Sequence, residues 1–274
     1  MKSILVATDF SKGAENAVKY AKEIAVLKSQ KLIYVHIVNM PIVDPIVSSN
    51  VVAETIEELK SGSEQRLKEM TQNDKANGLN SEYRISFNDI IDLIDEIGKT
   101  EEVDLVVVGK TGHRTFLDKI LGSTAQGLIN QIKQPLLVIP EDYNGPILDN
   151  LCYASKLEFN EKKYIAQALE WKSYSENDLI IGHILEEFPL DINENEQFIA
   201  SIDREFENKG YVYKNFAADF YSDGIVEFAD KEGISLLFVT TQKRGFFEGI
   251  IDPSKTKAMI NKVKVPVIVF SYVE

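Results

Sequence analysis

Short apolar runs alternate along the chain with segments whose apolar residues recur every three or four positions. Runs such as 4–8 and 32–38 have the length and composition of buried strands, whereas the apolar spacing over 14–25 is that of one helix face. The same alternation continues through the rest of the first half, with further strands at 82–86, 104–108 and 135–140. Strands that alternate with helices predict an α/β protein with a parallel sheet covered by helices on both faces.

The second half of the chain repeats this order of strands and helices. His183 takes the place of His36 at an offset of 147 positions, and Val239 takes the place of Val108 at an offset of 131. The two offsets differ by 16, so the second copy is that much shorter. The shortening falls where the first copy has a proline-containing loop and a long amphipathic helix.

A polar segment at 141–146 separates the two copies. We therefore predict two domains with bounds 1–142 and 147–274. A chain of 274 residues with 44% hydrophobic and 27% charged residues has the length and composition of two modest globular domains.

The charge balance narrows the range of partners. The formal net charge of −13 argues against nucleic acid or an anionic membrane surface as the main partner, because both require basic patches. No apolar run is long enough to insert into a membrane, and Met1 leads straight into a strand rather than a signal peptide. The single cysteine, Cys152, excludes an internal disulfide. These features predict a cytoplasmic protein.

The segment after the fourth strand carries the candidate chemistry. Gly109 and Gly112 follow the strand directly, and Gly122, Ser123 and Thr124 open the next helix. Glycines allow backbone amides to approach a ligand closely, and a helix N-terminus attracts anions. The spacing therefore fits a cradle for a polyphosphate, although two tight turns around an ordinary loop would use the same glycines. It is neither a Walker loop nor the Gly-x-Gly-x-x-Gly dinucleotide motif.

Several polar side chains near these glycines have two interpretations each. His113 and Arg114 are candidates to contact a phosphate or the transition state of its transfer, and a solvated loop is the alternative. Lys110 offers three donors to a phosphate, or it keeps the loop soluble. His36 and His183 occur in both copies, which favours a packing role for them.

The second copy keeps the apolar framework and lacks the polar site. At the positions that correspond to the three glycines stand Thr240, Lys243 and Pro253. Pro253 has no backbone N–H to offer to a phosphate. Asp9, which ends the first strand, aligns with Ser155 to within one position. We therefore expect the chemistry to reside in the first half.

Together these features resemble the universal stress protein family in its tandem form. The resemblance covers both halves and is carried by Val-Ala-Thr-Asp-Phe-Ser at 6–11, Gly-x2-Gly-x9-Gly-Ser at 109–123 and the strand at 135–138. It implies two tandem adenine-nucleotide α-hydrolase-like (Rossmann-like) domains, each with a five-stranded parallel sheet of order 3-2-1-4-5. It also implies that the two domains pair as an internal pseudo-dimer with their fifth strands at the interface.

The same resemblance implies an ATP site in the first domain, where its first and fourth strands diverge. The carboxylate of Asp9 would lie close to the ribose and to magnesium that arrives with the nucleotide, and Ile37 would pack on the adenine. The residues expected to bind the nucleotide are Ala7, Thr8, Asp9, Ile37, Gly109, Gly112, His113, Arg114, Gly122, Ser123 and Thr124. One ATP per chain is expected.

An ATP-binding regulator or sensor with slow or no hydrolysis is the function that this pattern favours. Fast phosphoryl transfer needs a positioned base and strong charge stabilisation, for which only Asp9, His113 and Arg114 are candidates. Two other classes remain open. One is a structural or adaptor protein without nucleotide, and the other is an ATP-dependent enzyme such as a slow ATPase or a nucleotidyl transferase. Protein partners and a homodimer also remain open.

Overall fold

The computed structural model describes residues 1–40, 48–110, 123–157, 161–185, 192–242 and 253–272. Ten strands within these residues form one continuous sheet. The strands are β1 (Ser3–Ala7), β2 (Lys31–Ile37), β3 (Ser81–Ser86), β4 (Val103–Lys110), β5 (Leu136–Pro140), β6 (Leu151–Ser155), β7 (Leu179–Leu185), β8 (Tyr211–Ala217), β9 (Leu236–Gln242) and β10 (Val267–Tyr272).

Helices connect the strands and cover both faces of the sheet. They are α1 (Lys12–Leu27), α2 (Ser49–Ala76), α3 (Ile90–Ile97), α4 (Ser123–Gln131), α5 (Lys162–Lys172), α6 (Ile192–Glu205), α7 (Tyr221–Lys231) and α8 (Pro253–Lys262). Helix α2 has 28 residues and its counterpart α6 has 14, which confirms the shortened connection in the second copy. None of the helices in the described part of the chain has the length and apolar character needed to cross a membrane.

The strand order is β3-β2-β1-β4-β5-β10-β9-β6-β7-β8. Each half therefore has the predicted order 3-2-1-4-5, and neighbouring strands within each half are parallel. The two halves meet where β5 and β10 pair in antiparallel fashion, with Val138 opposite Val267. This arrangement confirms the pseudo-dimer in which the fifth strands form the interface.

Alternation along the strands divides the apolar residues between two cores. Ile4 and Val6 of β1 face the core beneath α1, whereas Leu5 faces the core beneath α3 and α4. All three side chains are fully buried, because a central parallel strand is covered on both faces. At about 25 cal/mol per Å² of apolar surface, this two-sided burial is the main force that holds the sheet between its helices.

The strand registers align the two halves position by position. Leu5 pairs with Ile33 and Val106. Cys152 pairs with the residue 147 positions after Ile33 and with the residue 131 positions after Val106. The ring Nδ1 of His36 lies 2.7 Å from the Thr8 carbonyl oxygen, and Nδ1 of His183 lies 3.1 Å from that of Ser155. Ser155 therefore corresponds to Thr8.

The counterpart of Asp9 is accordingly Lys156, not Ser155 as the sequence alignment predicted. Leu157 and Phe10, the next residues in the two halves, both have a positive φ, of 62° and 60° respectively. The shift is one position, and it changes the comparison of the halves. An acidic side chain at the end of β1 is replaced by a basic one at the end of β6.

Side chains of α1 hold the segment between the two halves. The amide nitrogen of Asn16 donates to the carbonyl oxygens of Pro140 and Tyr143 at 2.8 and 2.9 Å, and the Tyr20 hydroxyl donates to that of Gly145 at 2.8 Å. The hydroxyl of Tyr143 donates to the Pro146 carbonyl. The connecting segment is thus fixed against the first half, while the domain bounds 142 and 147 stay a prediction.

Candidate functional site

A pocket of about 360 Å³ opens at the carboxyl ends of β1, β2 and β4. Strand β1 has β2 on one side and β4 on the other, so this is the point at which the chain order of the strands reverses. Open α/β sheets bind ligands at such points. The lining residues are Ala7, Thr8, Asp9, Ser11, Ala14, Val35, Ile37, Asn39, Asp89, Ile90, Val108, Gly109, Thr124 and Ala125.

The pocket brings together six of the eleven residues predicted to bind a nucleotide. These are Ala7, Thr8, Asp9, Ile37, Gly109 and Thr124. Ser123 is the first residue of α4, directly before Thr124. The four remaining predictions, Gly112, His113, Arg114 and Gly122, lie outside the described residues.

The turn after β1 places the Asp9 side chain at the mouth of the pocket. The Thr8 hydroxyl accepts a hydrogen bond from the Phe10 amide at 3.1 Å, and Asp9 Oδ1 accepts one from the Ser11 amide at 2.9 Å. Ser11 then caps α1 by accepting from the Ala14 amide at 3.3 Å. These local bonds fix the direction of the exposed Asp9 carboxylate.

Besides Ser11, two polar lining residues, Asn39 and Asp89, were missed by the sequence reasoning. Asp89 is the N-cap of α3, and its Oδ1 accepts a hydrogen bond from the Ile91 amide at 2.7 Å. Asn39 follows β2 as Asp89 follows β3, and the carboxyl ends of parallel neighbours meet at one edge of the sheet. This position after a strand is the signal that could have identified both residues.

Gly109 has a packing role that its place in the motif did not indicate. A Cβ atom at this position would lie 2.3 Å from the carbonyl oxygen of Gly13 in the first turn of α1. Backbone atoms cannot give way as a flexible side chain can. Only glycine therefore allows α1 to approach the end of β4 this closely, independently of any bound ligand.

The two ends of the pocket differ in chemistry. Val35, Ile37 and Ile90 form an apolar wall on the side of β2 and α3. On the opposite side, Thr124 and Ala125 belong to the first turn of α4, where amides without a partner inside the helix and the positive dipole end favour an anion. The pocket therefore suits a ligand with an apolar part and an anionic part.

Lys110, the residue after Gly109, has neither of the two roles considered from the sequence. Its side chain is 8% exposed, and its ammonium group donates to the carbonyl oxygens of Ile260, Asn261 and Val263 at 2.7, 2.7 and 3.1 Å. It points away from the pocket into the second half. Both the phosphate role and the role in keeping the loop soluble are wrong for Lys110.

The family model named Usp, for universal stress protein family, matches residues 1–140 and 212–271. The chain belongs to the universal stress protein family. The match includes β1, β2, β3 and β4 with the pocket between them, and it resumes at β8 in the second half.

Three individual proteins are similar to part or all of the chain. Universal stress protein MJ0577 of Methanocaldococcus jannaschii is 27% identical over 152 residues, which are 50% of this chain and 94% of the relative. The crystal structure of a universal stress protein from Archaeoglobus fulgidus has a TM-score of 0.74 at 17% identity and covers 98% of both chains. A universal stress protein family protein from Arabidopsis thaliana, solved with AMP bound, has a TM-score of 0.37 at 18% identity, covering 51% of this chain and 92% of that one.

In the second universal stress protein domain, larger side chains stand at the corresponding positions that the structure describes. The hydroxyl of Tyr221, at the position of Ile90, lies 3.4 Å from the carbonyl oxygen of Ala154, which corresponds to Ala7. Thr240 replaces Gly109, and its hydroxyl lies 2.7 Å from that of Tyr153. An aromatic ring and a β-branched residue thus stand where the first domain has smaller side chains.

A buried carboxylate completes this change. At the offset of 147 positions that aligns β1 with β6, Glu161 takes the place of the pocket residue Ala14, and it is 6% exposed. Its Oε2 accepts a hydrogen bond from the Ser155 hydroxyl at 2.7 Å, and both carboxylate oxygens lie 3.2 Å from the Lys156 amide nitrogen. The second domain therefore places its own negative charge at the end of β6.

Proposed function

We propose that the first domain binds one adenine nucleotide per chain, ATP together with magnesium. The protein then acts as a cytoplasmic regulator or sensor in a stress response and hydrolyses ATP slowly or not at all. The observation that carries this proposal is the pocket at the switch point of the sheet, which combines Asp9, Ile37, Gly109 and Thr124.

The size and polarity of the pocket support a nucleotide. A volume of about 360 Å³ lies within the range of roughly 300–1,000 Å³ that is usual for small-molecule sites. A purine base would lie against the apolar wall of Val35, Ile37 and Ile90. The phosphates would then extend towards the first turn of α4, where backbone amides and the helix dipole favour negative charge.

The carboxylates of Asp9 and Asp89 suit hydrogen-bond donors and cations rather than phosphate. Asp9 lies between the two ends of the pocket, where a ribose would present its hydroxyl groups as donors. Carboxylate oxygens are also the ligands that Mg²⁺ prefers, usually with several waters and substrate phosphates completing its shell. Magnesium would in this way offset repulsion between the acidic residues and the phosphates.

A regulatory role suits the lining better than rapid catalysis does. Phosphoryl transfer at enzymatic rates depends on cationic groups that neutralise charge on the transferred phosphoryl group. Among the lining residues that the structure describes there is no lysine or arginine. His113 and Arg114 stay predictions for contacts with the phosphates.

Isothermal titration of ATP with magnesium tests the proposal directly. Wild-type protein should bind close to one ATP per chain. Asp9→Ala should weaken binding by about tenfold or more, because a charged hydrogen-bond acceptor is lost. The matched variant Lys156→Ala, at the same position in the second domain, should leave affinity and stoichiometry unchanged.

The contrary results are equally clear. No binding of ATP, ADP or AMP by protein freed of co-purified nucleotide would reject the proposal. Binding of two nucleotides per chain would reject the single site. Loss of binding in Lys156→Ala but not in Asp9→Ala would show that the site is not in the first domain. Phosphate release at enzymatic rates would reject the regulatory role but not the site.

A further inference from the structure

Lys110 connects the end of β4 in the first domain to the end of α8 in the second. Its ammonium group, which has three donors, donates hydrogen bonds to three backbone carbonyls. The last carbonyls of a helix have no partner within the helix, and a cation there interacts favourably with the helix dipole. Lys110 thus caps α8 from the other domain.

The same strand end lines the pocket. Gly109 precedes Lys110 and faces the ligand space, while α1 confines it from behind. A Cβ atom on Gly13 would lie 3.3 Å from the Lys110 carbonyl oxygen, so the first turn of α1 is in close contact with this residue too. A displacement of Gly109 by a ligand would therefore also move Lys110.

Helix α4 provides a second contact between the pocket and the second domain. Its first turn lines the pocket at Thr124 and Ala125, and its body packs against α8, β9 and β10. A ligand that binds the first turn of α4 thus acts on an element already in contact with the second domain.

The described residues contain no matching connection in the reverse direction. Thr241 corresponds to Lys110 in the second domain, and its side chain is too short to reach the end of α4 as Lys110 reaches α8. Its buried hydroxyl has no hydrogen-bond partner among the described residues. Among the described residues, the interdomain cap therefore runs in one direction, from the domain that contains the candidate site to the second domain.

We propose that Lys110 transmits nucleotide occupancy of the first domain to the C-terminal end of α8, so that bound nucleotide stabilises this helix in the second domain. This inference rests on the proposed function. The coupling is reciprocal, since whatever stabilises the cap must also favour the nucleotide. The second domain then serves as the part of the molecule that responds to the ligand.

Hydrogen–deuterium exchange of the full chain, with and without ATP and magnesium, tests the coupling. In wild-type protein ATP should slow exchange of the amides at 257–263 by about fivefold or more, the lower end of typical coupling between sites. In Lys110→Met, which keeps the length of the side chain but not its charge, this slowing should be lost. ATP affinity should fall by a similar factor.

Lys262→Met is the matched control. It removes a lysine from the same helix, where Lys262 forms an exposed ion pair with Asp223, without touching β4. This variant should keep the full response to ATP. A general effect of lost positive charge near α8 would instead appear in both variants.

The outcomes separate the two proposals. If titration shows that ATP binds but exchange at 257–263 stays the same in wild-type protein, the coupling is rejected and the nucleotide site stands. If Lys110→Met still shows full slowing, Lys110 is not the link. If wild-type protein binds no nucleotide, the proposed function fails and the coupling fails with it. The wild-type comparison holds even if Lys110→Met does not fold.

Discussion

The two domains share one framework and differ at the ends of their first and fourth strands. Leu5 and Cys152 are both fully buried between equivalent neighbours, although one is aliphatic and the other carries a thiol. A parallel sheet covered on both faces accepts any apolar side chain of suitable size at such a position. The framework therefore tolerates extensive substitution, whereas the site depends on a few side chains beside it.

Among the described residues, the domains differ in the side chains that surround the ends of these strands. The first domain has Ala14, Ile90 and Gly109 around the ends of β1 and β4, and these residues line the pocket. The second domain has Tyr221, Thr240 and Glu161 at the corresponding places, with hydrogen bonds to backbone and neighbouring side chains. These internal contacts stand where the first domain has its pocket, and the comparison predicts that corresponding substitutions in the two domains differ in their cost to stability.

The largest effect should come from exchanging the residues at the end of the fourth strand. Gly109→Thr should lower the free energy of unfolding by about 3 kcal/mol, because its Cβ would overlap the Gly13 backbone. Thr240→Gly should cost about 1–2 kcal/mol, through the lost hydrogen bond to Tyr153 and the flexibility of glycine in a strand. Urea unfolding of both variants measures the difference.

Gly62→Ala is the control for this exchange. Nothing lies within 4 Å of a Cβ atom at position 62, which is inside helix α2. Alanine should therefore stabilise the helix by up to about 1 kcal/mol. If Gly109→Thr were no more costly than Thr240→Gly, the close approach of α1 to β4 would not be what requires the glycine.

An intermediate effect is expected at the start of the first helix of each domain. Glu161→Ala should lower the free energy of unfolding by about 2 kcal/mol, because Ser155 and the Lys156 amide lose a buried charged acceptor. Glu15→Ala, in the first turn of α1, removes an exposed carboxylate and should change stability by less than about 0.5 kcal/mol. Equal effects from the two variants in urea unfolding would remove this distinction between the domains.

The smallest effect concerns Cys152, the only thiol in the chain and therefore a probe of the second domain alone. Burial raises the pKa of this thiol to about 12, although a hydrogen bond from the Gly182 backbone lowers it in part. The pKa of the thiol is therefore higher in the folded state than in the unfolded state, where it is 9.0. The contribution of the neutral thiol to stability is fully present below pH 9.0 and is lost as the pH rises from 9.0 to about 12. Relative to Cys152→Ala, wild-type protein should lose about 0.8 kcal/mol by pH 9.5.

Thiol labelling tests the burial of Cys152 near neutral pH. At pH 8 the native chain should react at least about 100-fold more slowly than the urea-unfolded chain, since reaction requires opening of the second domain. Asp9→Ala should leave this rate unchanged. Rapid labelling of the native chain would contradict the burial on which the pKa depends.

Much of the fold could be predicted from the chain because it depends on repeated local patterns. Apolar runs and helix periodicity identified the strands and helices, and the offset between His36 and His183 revealed the duplication. The strand order and the pairing of the fifth strands followed from the family resemblance and are confirmed. The position of Asp9 could not be aligned to better than one residue, because hydrogen bonds rather than apolar spacing set the register beyond the strand.

The site was predictable where a residue lies on a strand end or in the glycine motif. Asp9, Ile37 and Gly109 were identified in this way, and they line one pocket. Asn39 and Asp89 were not identified, because single polar residues after strands carry no motif. Only the order of strands in the sheet brings their positions beside Asp9.

The sequence alone determined the fold class, the duplication and the half of the chain that holds the candidate site. These properties follow from the period and composition of short segments, which each segment carries regardless of its neighbours. Only the tertiary structure decided that Gly109 allows α1 to approach β4 and that Glu161 accepts a hydrogen bond from Ser155 at the end of β6. It also decided that Lys110 caps a helix 150 residues away along the chain. Each of these depends on atoms brought together by the packing of distant segments, and no local pattern encodes such a contact.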